Sequence, residues 1–294
     1  MKNLLSHFGI SLLKLVAFLP FGFFYRVSDL IFLMVWYVAG YRKKVVSENL
    51  RKSFPEKTEG ERRKIAKKYY RHFSDLLIES AKGHRVPLEE IRKKVVFKNP
   101  EILARLYRQG KDVILISGHY GNWEMLFDIV SCSPHQYNVL YKPLNNAVFD
   151  QYIRKTRSVS GIKLLPMDDA YRVIAQAKKQ GIRTVTYFIA DQAPLETKYW
   201  TIFLNQETPV YLGPEKIARK LGMAVVFMDI MKPRRGRYEV IYTKICDDAS
   251  TIGEHEITNA HVRLLEKTIR EKPEHWLWSH RRWKRIRPEG VELV

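Results

Sequence analysis

Short runs of β-branched residues alternate with helical patterns along most of this 294-residue chain. Such alternation is typical of an α/β domain built on a mostly parallel sheet. The predicted strands are KVVFKN, DVILISG, YNVLYKP, IKLLP, RTVTYFIAD, MAVVFMDIM and YEVIYT. The predicted helices between them begin near Pro100, Gly121, Asn145, Asp168 and Gly213. The sequence therefore predicts an α/β fold with a mostly parallel central sheet and flanking helices.

The segment before the first strand, residues 45–83, is charged and amphipathic. Its apolar residues recur at steps of three and four, as expected for one buried face of a helix. Pro55 interrupts the pattern, because proline cannot continue a helix interior. We predict two amphipathic helices here that serve as scaffold.

The N-terminus is the most apolar part of the chain. Residues 8–41 are rich in large apolar and aromatic side chains, but Lys14, Arg26 and Asp29 interrupt them. A helix that crosses a bilayer needs about 20 predominantly apolar residues. The sequence therefore favours a membrane-anchoring segment at 1–42 whose helix or helical hairpin lies in the membrane interface.

Two other interpretations of the same segment remain open. A single tilted span is possible if the Lys14 side chain reaches back to the headgroups. An ordinary pair of buried helices would also account for the apolar density. A cleaved signal peptide is not indicated, because no small-residue cleavage site follows an early apolar core. Residues 43–294 then form the α/β domain.

The charge balance indicates an anionic partner. Lys and Arg total 51 against 31 Asp and Glu, a formal net charge of +20. Nucleic acid, an anionic membrane surface and an acidic carrier protein all fit such a charge. The two cysteines, Cys132 and Cys246, have no disulfide or zinc spacing and suit a reducing compartment.

The basic stretch HRRWKRIR at 280–287 is the strongest sequence argument for nucleic acid. Cationic side chains interleaved with tryptophan can grip phosphate and stack bases. No recognised nucleic-acid motif accompanies it, and Trp276, Trp278 and Trp283 suit a membrane interface equally well. We therefore predict a membrane partner and no nucleic acid.

A histidine and a glutamate follow the predicted strand VILIS. His119 leaves the carboxyl end of that strand, where open α/β sheets hold ligands, and Glu124 comes at the start of the next predicted helix. A carboxylate on one ring nitrogen fixes the tautomer and orientation that a histidine general base needs. The spacing predicts that Glu124 orients His119, with amides of the following helix available for an oxyanion.

Other chemistries are less well supported by the sequence. The pair is not HExxH, and His255 and His261 do not share a helical face, so a metal site is not indicated. Ser117 precedes His119, but the surrounding residues do not form a GxSxG nucleophile elbow.

The GHYGNWE loop resembles the HX4D/E motif of membrane acyltransferases, and the whole chain resembles the late acyltransferases of lipid A biosynthesis. Their motifs occur here in order and over essentially the full length. They are ENLRKSFPE, YKPLNN, RSVSG, the Asp191–Gln192 pair, TPVYLGPEKIARKLG and EKPEHWLWSHRRWKR. Glu124 stands where glycerol-phosphate acyltransferases have aspartate, which favours the lipid A branch.

This resemblance implies an O-acyltransferase at the cytoplasmic side of the inner membrane. The donor would be a thioester of acyl carrier protein or coenzyme A, and the acceptor a hydroxyl of a lipid A precursor. No metal or other cofactor is expected. A related acceptor, such as a phospholipid, an amino lipid or a pigment, remains an alternative. So does a membrane-bound binding protein that keeps the fold without catalysis.

The resemblance also implies roles for further residues. Arg157 lies where the family places an arginine near the dyad, so it is expected to bind acceptor phosphate or the oxyanion. Asp191 ends a predicted strand and is expected to organise Arg157 or the acceptor, with a simple helix N-cap as the alternative. Asn122 and Gln192 are weaker candidates for substrate contacts.

Overall fold

A computed structural model describes residues 21–83, 86–141, 146, 148, 150–151, 161–194, 197 and 199–294. The predicted binding residue Arg157 lies outside these ranges, as does most of the helix predicted to begin near Asn145. The other predicted site residues are all described.

A seven-stranded sheet forms the centre of the molecule, in the order β1-β9-β8-β2-β5-β3-β4. Its strands are β1 (Val95–Phe97), β2 (Val113–Ser117), β3 (Gln136–Tyr141), β4 (Lys163–Pro166), β5 (Thr184–Ile189), β8 (Ala224–Arg234) and β9 (Arg237–Cys246). Every neighbouring pair is parallel except β8 and β9, which form an antiparallel hairpin. Each strand coincides with a predicted one, so the mostly parallel α/β fold is confirmed.

The middle strand β2 is buried at all five positions, VILIS. A strand covered on both faces by helices shows a continuous apolar run rather than an alternating one. This continuous burial places the carboxyl end of β2, and with it the GHYGNWE loop, at the centre of the sheet edge.

Helices pack on the sheet and precede it. They are α1 (Phe21–Leu33), α2 (Lys43–Ser53), α3 (Glu59–Gly83), α4 (Leu88–Arg92), α5 (Glu101–Arg108), α6 (Ala170–Lys179), α7 (Gly213–Leu221) and α8 (Glu256–Glu271). The predicted break at Pro55 separates α2 from α3. The helices predicted near Pro100, Asp168 and Gly213 are confirmed as α5, α6 and α7.

The helix predicted at Gly121 is not an α-helix. Two short 3₁₀ turns, Trp123–Met125 and Ile129–Cys132, occupy that connection instead. Gly121 has a left-handed φ of 64°, and a Cβ at this position would lie 2.1 Å from the backbone oxygen of Ile230. The loop therefore crosses close over β8, which leaves no room for an immediate helical start.

The N-terminal helix α1 continues into a π-helical turn, Met34–Ala39. One face packs against α3, burying Phe24, Phe32 and Trp36. The stretch Gly22–Ala39 is long and apolar enough to cross a membrane by length and composition alone. This makes it a candidate membrane anchor.

A small antiparallel hairpin, β6 (Trp200–Phe203) and β7 (Gln206–Pro209), stands outside the main sheet. It was not predicted. Behind it runs the C-terminal segment, in which Trp276 and Trp278 are among the most buried side chains of the protein. The suggestion that these two tryptophans lie at a membrane surface is therefore wrong, because they fill a core between α2, α3, β6 and α8.

Candidate active site

The candidate site forms where two neighbouring parallel strands end. Strands β2 and β5 pair in parallel, with Ser117 opposite Ile189. His119 and Asp191 each lie two residues beyond those positions. Because the carboxyl ends of parallel strands meet at one sheet edge, two residues 72 positions apart in sequence become neighbours.

Asp191 holds His119 through both of its carboxylate oxygens. Oδ1 lies 2.5 Å from the ring nitrogen Nδ1 of His119, and Oδ2 accepts a hydrogen bond of 2.8 Å from the His119 backbone N–H. The Asp191 side chain is buried, whereas that of His119 is 17% exposed. Asp191 thus holds the histidine ring from the protein interior, while part of the ring remains accessible from solvent.

The protonation of this pair follows from its surroundings. Burial raises the pKa of the Asp191 carboxyl, but attraction to the protonated form of His119 and hydrogen bonds from His119 and Trp276 outweigh it and lower the pKa to about 2. An ionised carboxylate only accepts hydrogen bonds, so Nδ1 of His119 carries the proton. The outer nitrogen Nε2 is therefore the one whose lone pair can accept a proton.

This geometry corrects two predictions. Nδ1 of His119 is held by Asp191, not by Glu124 as the HX4E spacing suggested. Asp191 is not a helix N-cap, since no helix begins among the described residues that follow it directly. Among described residues it binds His119 and Trp276, and its predicted contact with Arg157 lies outside the described residues.

Trp276 is a site residue that sequence reasoning missed. Its indole N–H donates 2.8 Å to Oδ2 of Asp191, so this oxygen accepts from two donors. The surrounding chain binds the loop directly, because Leu277 N–H donates to the His119 carbonyl and Gly121 N–H to the His275 carbonyl. The only sequence signal for Trp276 was its place in the EKPEHWLWSHRRWKR motif.

The exposed side of His119 faces Trp123 and Gln192. The Trp123 ring packs edge to face on the imidazole, with centroids 4.9 Å apart. The side-chain nitrogen of Gln192 lies 3.3 Å from Nε2. The prediction that Gln192 lies at the site is thus consistent with its position beside the reactive nitrogen.

Trp123, which packs on this ring, also lines an apolar cleft. The cleft has about 630 Å³ of space between atoms, a figure that includes open solvent at its mouth. Glu124 and Trp123 line one part of the cleft. The remaining lining is apolar or aromatic and comes from the connection after the loop and from β3, β4 and β5: Leu126, Phe127, Ile129, Tyr137, Val139, Leu140, Ile162, Leu164, Tyr187 and Ile189.

The loop that carries His119 is tightly built. A Cβ on Gly118 would lie 2.7 Å from the Leu265 side chain and 3.2 Å from Oδ2 of Asp191, so a larger residue here would have to displace the Leu265 side chain. Asn122 is fully buried and its Oδ1 accepts from the Glu124 backbone N–H at 3.1 Å. The amides of Gly121 and Glu124 are thus engaged within the protein, and a role of other amides of this connection at an oxyanion stays a prediction.

Burial decides whether two further residues that the sequence suggested, Ser117 and Arg282, are accessible to a ligand. Ser117 is buried and its Oγ lies 2.6 Å from the Tyr187 hydroxyl, so this hydroxyl is not exposed to a substrate. In the basic stretch, Arg282 is buried and donates to the Pro209 carbonyl. Burial lowers the pKa of its guanidinium to about 10. A continuous basic face for nucleic acid is therefore not formed by this stretch.

Comparison with known proteins shows the family of the chain. The family model described as bacterial lipid A biosynthesis acyltransferase matches residues 1–285. The chain belongs to this family. It is therefore an acyltransferase, as the order of its motifs predicted.

Curated relatives align over nearly the whole chain. The lipid A biosynthesis lauroyltransferase of Escherichia coli K12 is 26% identical, covering 98% of this chain and 93% of the relative. The lipid A biosynthesis palmitoleoyltransferase of the same organism is 23% identical, covering 97% of this chain and 92% of the relative. A lipid A biosynthesis acyltransferase of Shigella flexneri is similar to the same degree.

Proposed function

We propose that this acyltransferase moves a fatty acyl chain from a thioester to a hydroxyl of a lipid A precursor, with His119 as general base. The observation that carries the proposal is the Asp191–His119–cleft arrangement. A buried carboxylate fixes Nδ1–H, and Trp123, which packs on the same imidazole, lines an apolar cleft. This is the placement that a general base needs when its substrate carries a long hydrocarbon chain.

In the proposed reaction, Nε2 of His119 takes the proton of the acceptor hydroxyl as its oxygen attacks the thioester carbonyl. A tetrahedral oxyanion forms, and its collapse breaks the carbon–sulfur bond. The imidazolium returns the proton to the leaving thiolate, so an ester and a free thiol result and the enzyme is regenerated. Asp191 stabilises the transient imidazolium through the Nδ1–H hydrogen bond.

The acyl chain of the donor is assigned to the apolar cleft. Its lining is almost entirely hydrocarbon and aromatic, so burying a fatty chain there removes apolar surface from water. Glu124 lines the same cleft next to Trp123, which packs on His119. We assign Glu124 to stabilising the positive charge of the imidazolium that His119 becomes during the reaction.

Arg157 is proposed to bind an acceptor phosphate or the oxyanion. The loop amides of Gly121 and Glu124 are already engaged, so a cationic side chain is the better source of stabilisation. Gln192 is proposed to give way to the acceptor hydroxyl, because its amide lies at Nε2, where that hydroxyl must come. The donor is proposed to be a thioester of acyl carrier protein or coenzyme A, both of which are anionic and suit a chain of net charge +20.

Membrane lipids of a strain with and without the gene test this function. A change in the mass of lipid A by one acyl group is expected, and restoring the wild-type gene but not the His119→Ala gene should reverse it. A change confined to another lipid class would mean that the acceptor is a lipid of that class. Unchanged lipids together with an inactive purified enzyme on acyl-thioester and lipid A precursor would contradict the proposal.

Membrane attachment is proposed to use the outer face of α1 and the π-helical turn. Leu30 is 62% exposed and Val38 72% exposed, whereas the inner face of the same segment packs on α3. Exposed apolar side chains beside the cationic YRKK sequence at 41–44 provide two membrane signals. The segment would then lie along the inner leaflet, with the active site on the cytoplasmic side.

Replacing Leu30 and Val38 together with glutamate is expected to reduce sedimentation with anionic vesicles. The protein should stay folded, since both side chains point away from the core. Ile286→Glu is the matched control, because Ile286 is 92% exposed and lies in the C-terminal segment. Equal loss of vesicle binding in both variants would show that the outer face of α1 is not the attachment surface.

A further inference from the structure

A buried carboxylate lies directly behind the catalytic loop. Glu79 of α3 is 1% exposed, and its Oε2 accepts hydrogen bonds from Asn122 Nδ2 at 2.7 Å and from the Tyr238 hydroxyl at 2.5 Å. Its Oε1 accepts from the Tyr25 hydroxyl at 2.7 Å. Burying a charged group is costly unless it is hydrogen-bonded, and here three neutral donors provide those bonds.

The carboxylate determines which way Asn122 faces. A carboxylate accepts hydrogen bonds, so Asn122 must present its NH₂ group to Glu79. The opposite end of the amide, Oδ1, then faces the backbone N–H of Glu124 and accepts from it at 3.1 Å. Burial and the charge of Glu79 keep the pKa of Tyr238 well above its ordinary value, so Tyr238 also remains a donor.

This hydrogen bond from Glu124 begins the 3₁₀ turn Trp123–Met125. The turn places the Trp123 ring against the His119 imidazole and Glu124 on the cleft wall. The same helix α3 holds the preceding residue as well, since His72 Nε2 lies 3.1 Å from the Gly121 carbonyl. One face of α3 thus supports the loop from Gly121 to Glu124.

We propose that Glu79 is a positioning residue of the active site, which orients Asn122 and thereby sets the turn that carries Trp123 and Glu124. The proposal rests on the proposed roles of His119 and Glu124. Because Tyr25 lies on α1, the same carboxylate also joins the catalytic loop to the helix assigned to the membrane surface.

Exchanging the hydrogen-bond donor and acceptor between Asn122 and Glu79 tests the positioning role of Glu79 directly. Asn122→Asp still accepts from the Glu124 N–H but places a second carboxylate against Glu79, and two like charges in a buried site repel. Adding Glu79→Gln gives the pair a donor again, because the glutamine amide introduced on α3 can donate to the new carboxylate. The double variant has the same net charge as the wild type.

The effect of Asn122→Asp on kcat is expected to be opposite in the two Glu79 backgrounds. In the wild-type background Asn122→Asp should lower kcat by about 100-fold, the order of loss that a misplaced catalytic geometry produces. In the Glu79→Gln background the same substitution should raise kcat and the melting temperature. Should Asn122→Asp not fold alone, the comparison of Glu79→Gln with the double variant carries the test.

Hydrogen–deuterium exchange of residues 119–126 gives a readout without substrate. Faster exchange is expected in Asn122→Asp and in Glu79→Gln, with protection regained in the double variant. Peptides of β2 and β8 serve as internal references, because a merely global loss of stability would raise exchange there too. If no acyl transfer occurs in the wild type but this exchange pattern holds, the proposed function fails and the positioning role stands.

Two residues on α1 provide a matched control. Tyr25→Phe removes the hydroxyl that reaches Glu79, whereas Ser28→Ala removes one that reaches Asp75 at the same distance of 2.7 Å. Only Tyr25→Phe is expected to raise exchange in the loop and to lower kcat. If Asn122→Asp is equally harmful in both Glu79 backgrounds, or if Ser28→Ala matches Tyr25→Phe, Glu79 has no positioning role.

Discussion

Replacing His119 with alanine is expected to lower acyl transfer by about 100-fold to 10,000-fold, the usual contribution of a general base. The hydroxyl of the acceptor is a weak nucleophile until its proton is removed, and Nε2 of His119 is the nitrogen placed to remove it. The loss should appear in kcat, measured with an acyl-carrier-protein thioester and a lipid A precursor in mixed micelles.

Folding should survive this substitution, because the imidazole is partly exposed and the loop is held by backbone hydrogen bonds to the C-terminal segment. His255→Ala is a suitable control. That ring packs on Tyr199 and lies beside Glu254, and it makes no described contact with His119. A folded His119→Ala protein with near wild-type turnover would remove His119 from the chemistry.

Asp191→Asn is expected to cost about 10,000-fold in kcat, comparable with the loss when a buried aspartate behind a catalytic histidine is made neutral. Asparagine keeps the size of the side chain but can present an N–H to Nδ1. His119 would then carry its proton on Nε2, where the base must be free. Thermal unfolding and turnover should be measured on the same preparations.

Glu124→Gln is the comparison that decides which carboxylate orients the ring. It removes the charge at the cleft wall but leaves the Nδ1 hydrogen bond to Asp191 intact. We expect a smaller loss of kcat than for Asp191→Asn. A larger loss in Glu124→Gln would mean that Glu124 has the more direct role in the reaction, despite the hydrogen bond seen at Nδ1.

Local patterns were sufficient to predict the strands of the central sheet and most of the described helices. The strands coincide with β-branched runs because buried parallel strands are apolar throughout, as VILIS illustrates. The hairpin of β6 and β7 was missed because WTIF and QETP, its two strands, are short and mixed in character. The connection after His119 was wrongly predicted to be helical, because the close crossing of Gly121 over β8 depends on a contact distant in sequence.

The sequence by itself determined that His119 leaves a central strand, that Glu124 follows it in an HX4E motif, and that the chain resembles lipid A acyltransferases. These are properties of residue order, which are visible without any knowledge of the fold. Only the tertiary structure decided that Asp191 binds Nδ1, that Trp276 donates to Asp191 and that Glu79 accepts from Asn122. The physical reason is strand order: β5 lies beside β2 in the sheet, and no local pattern states which strands are neighbours.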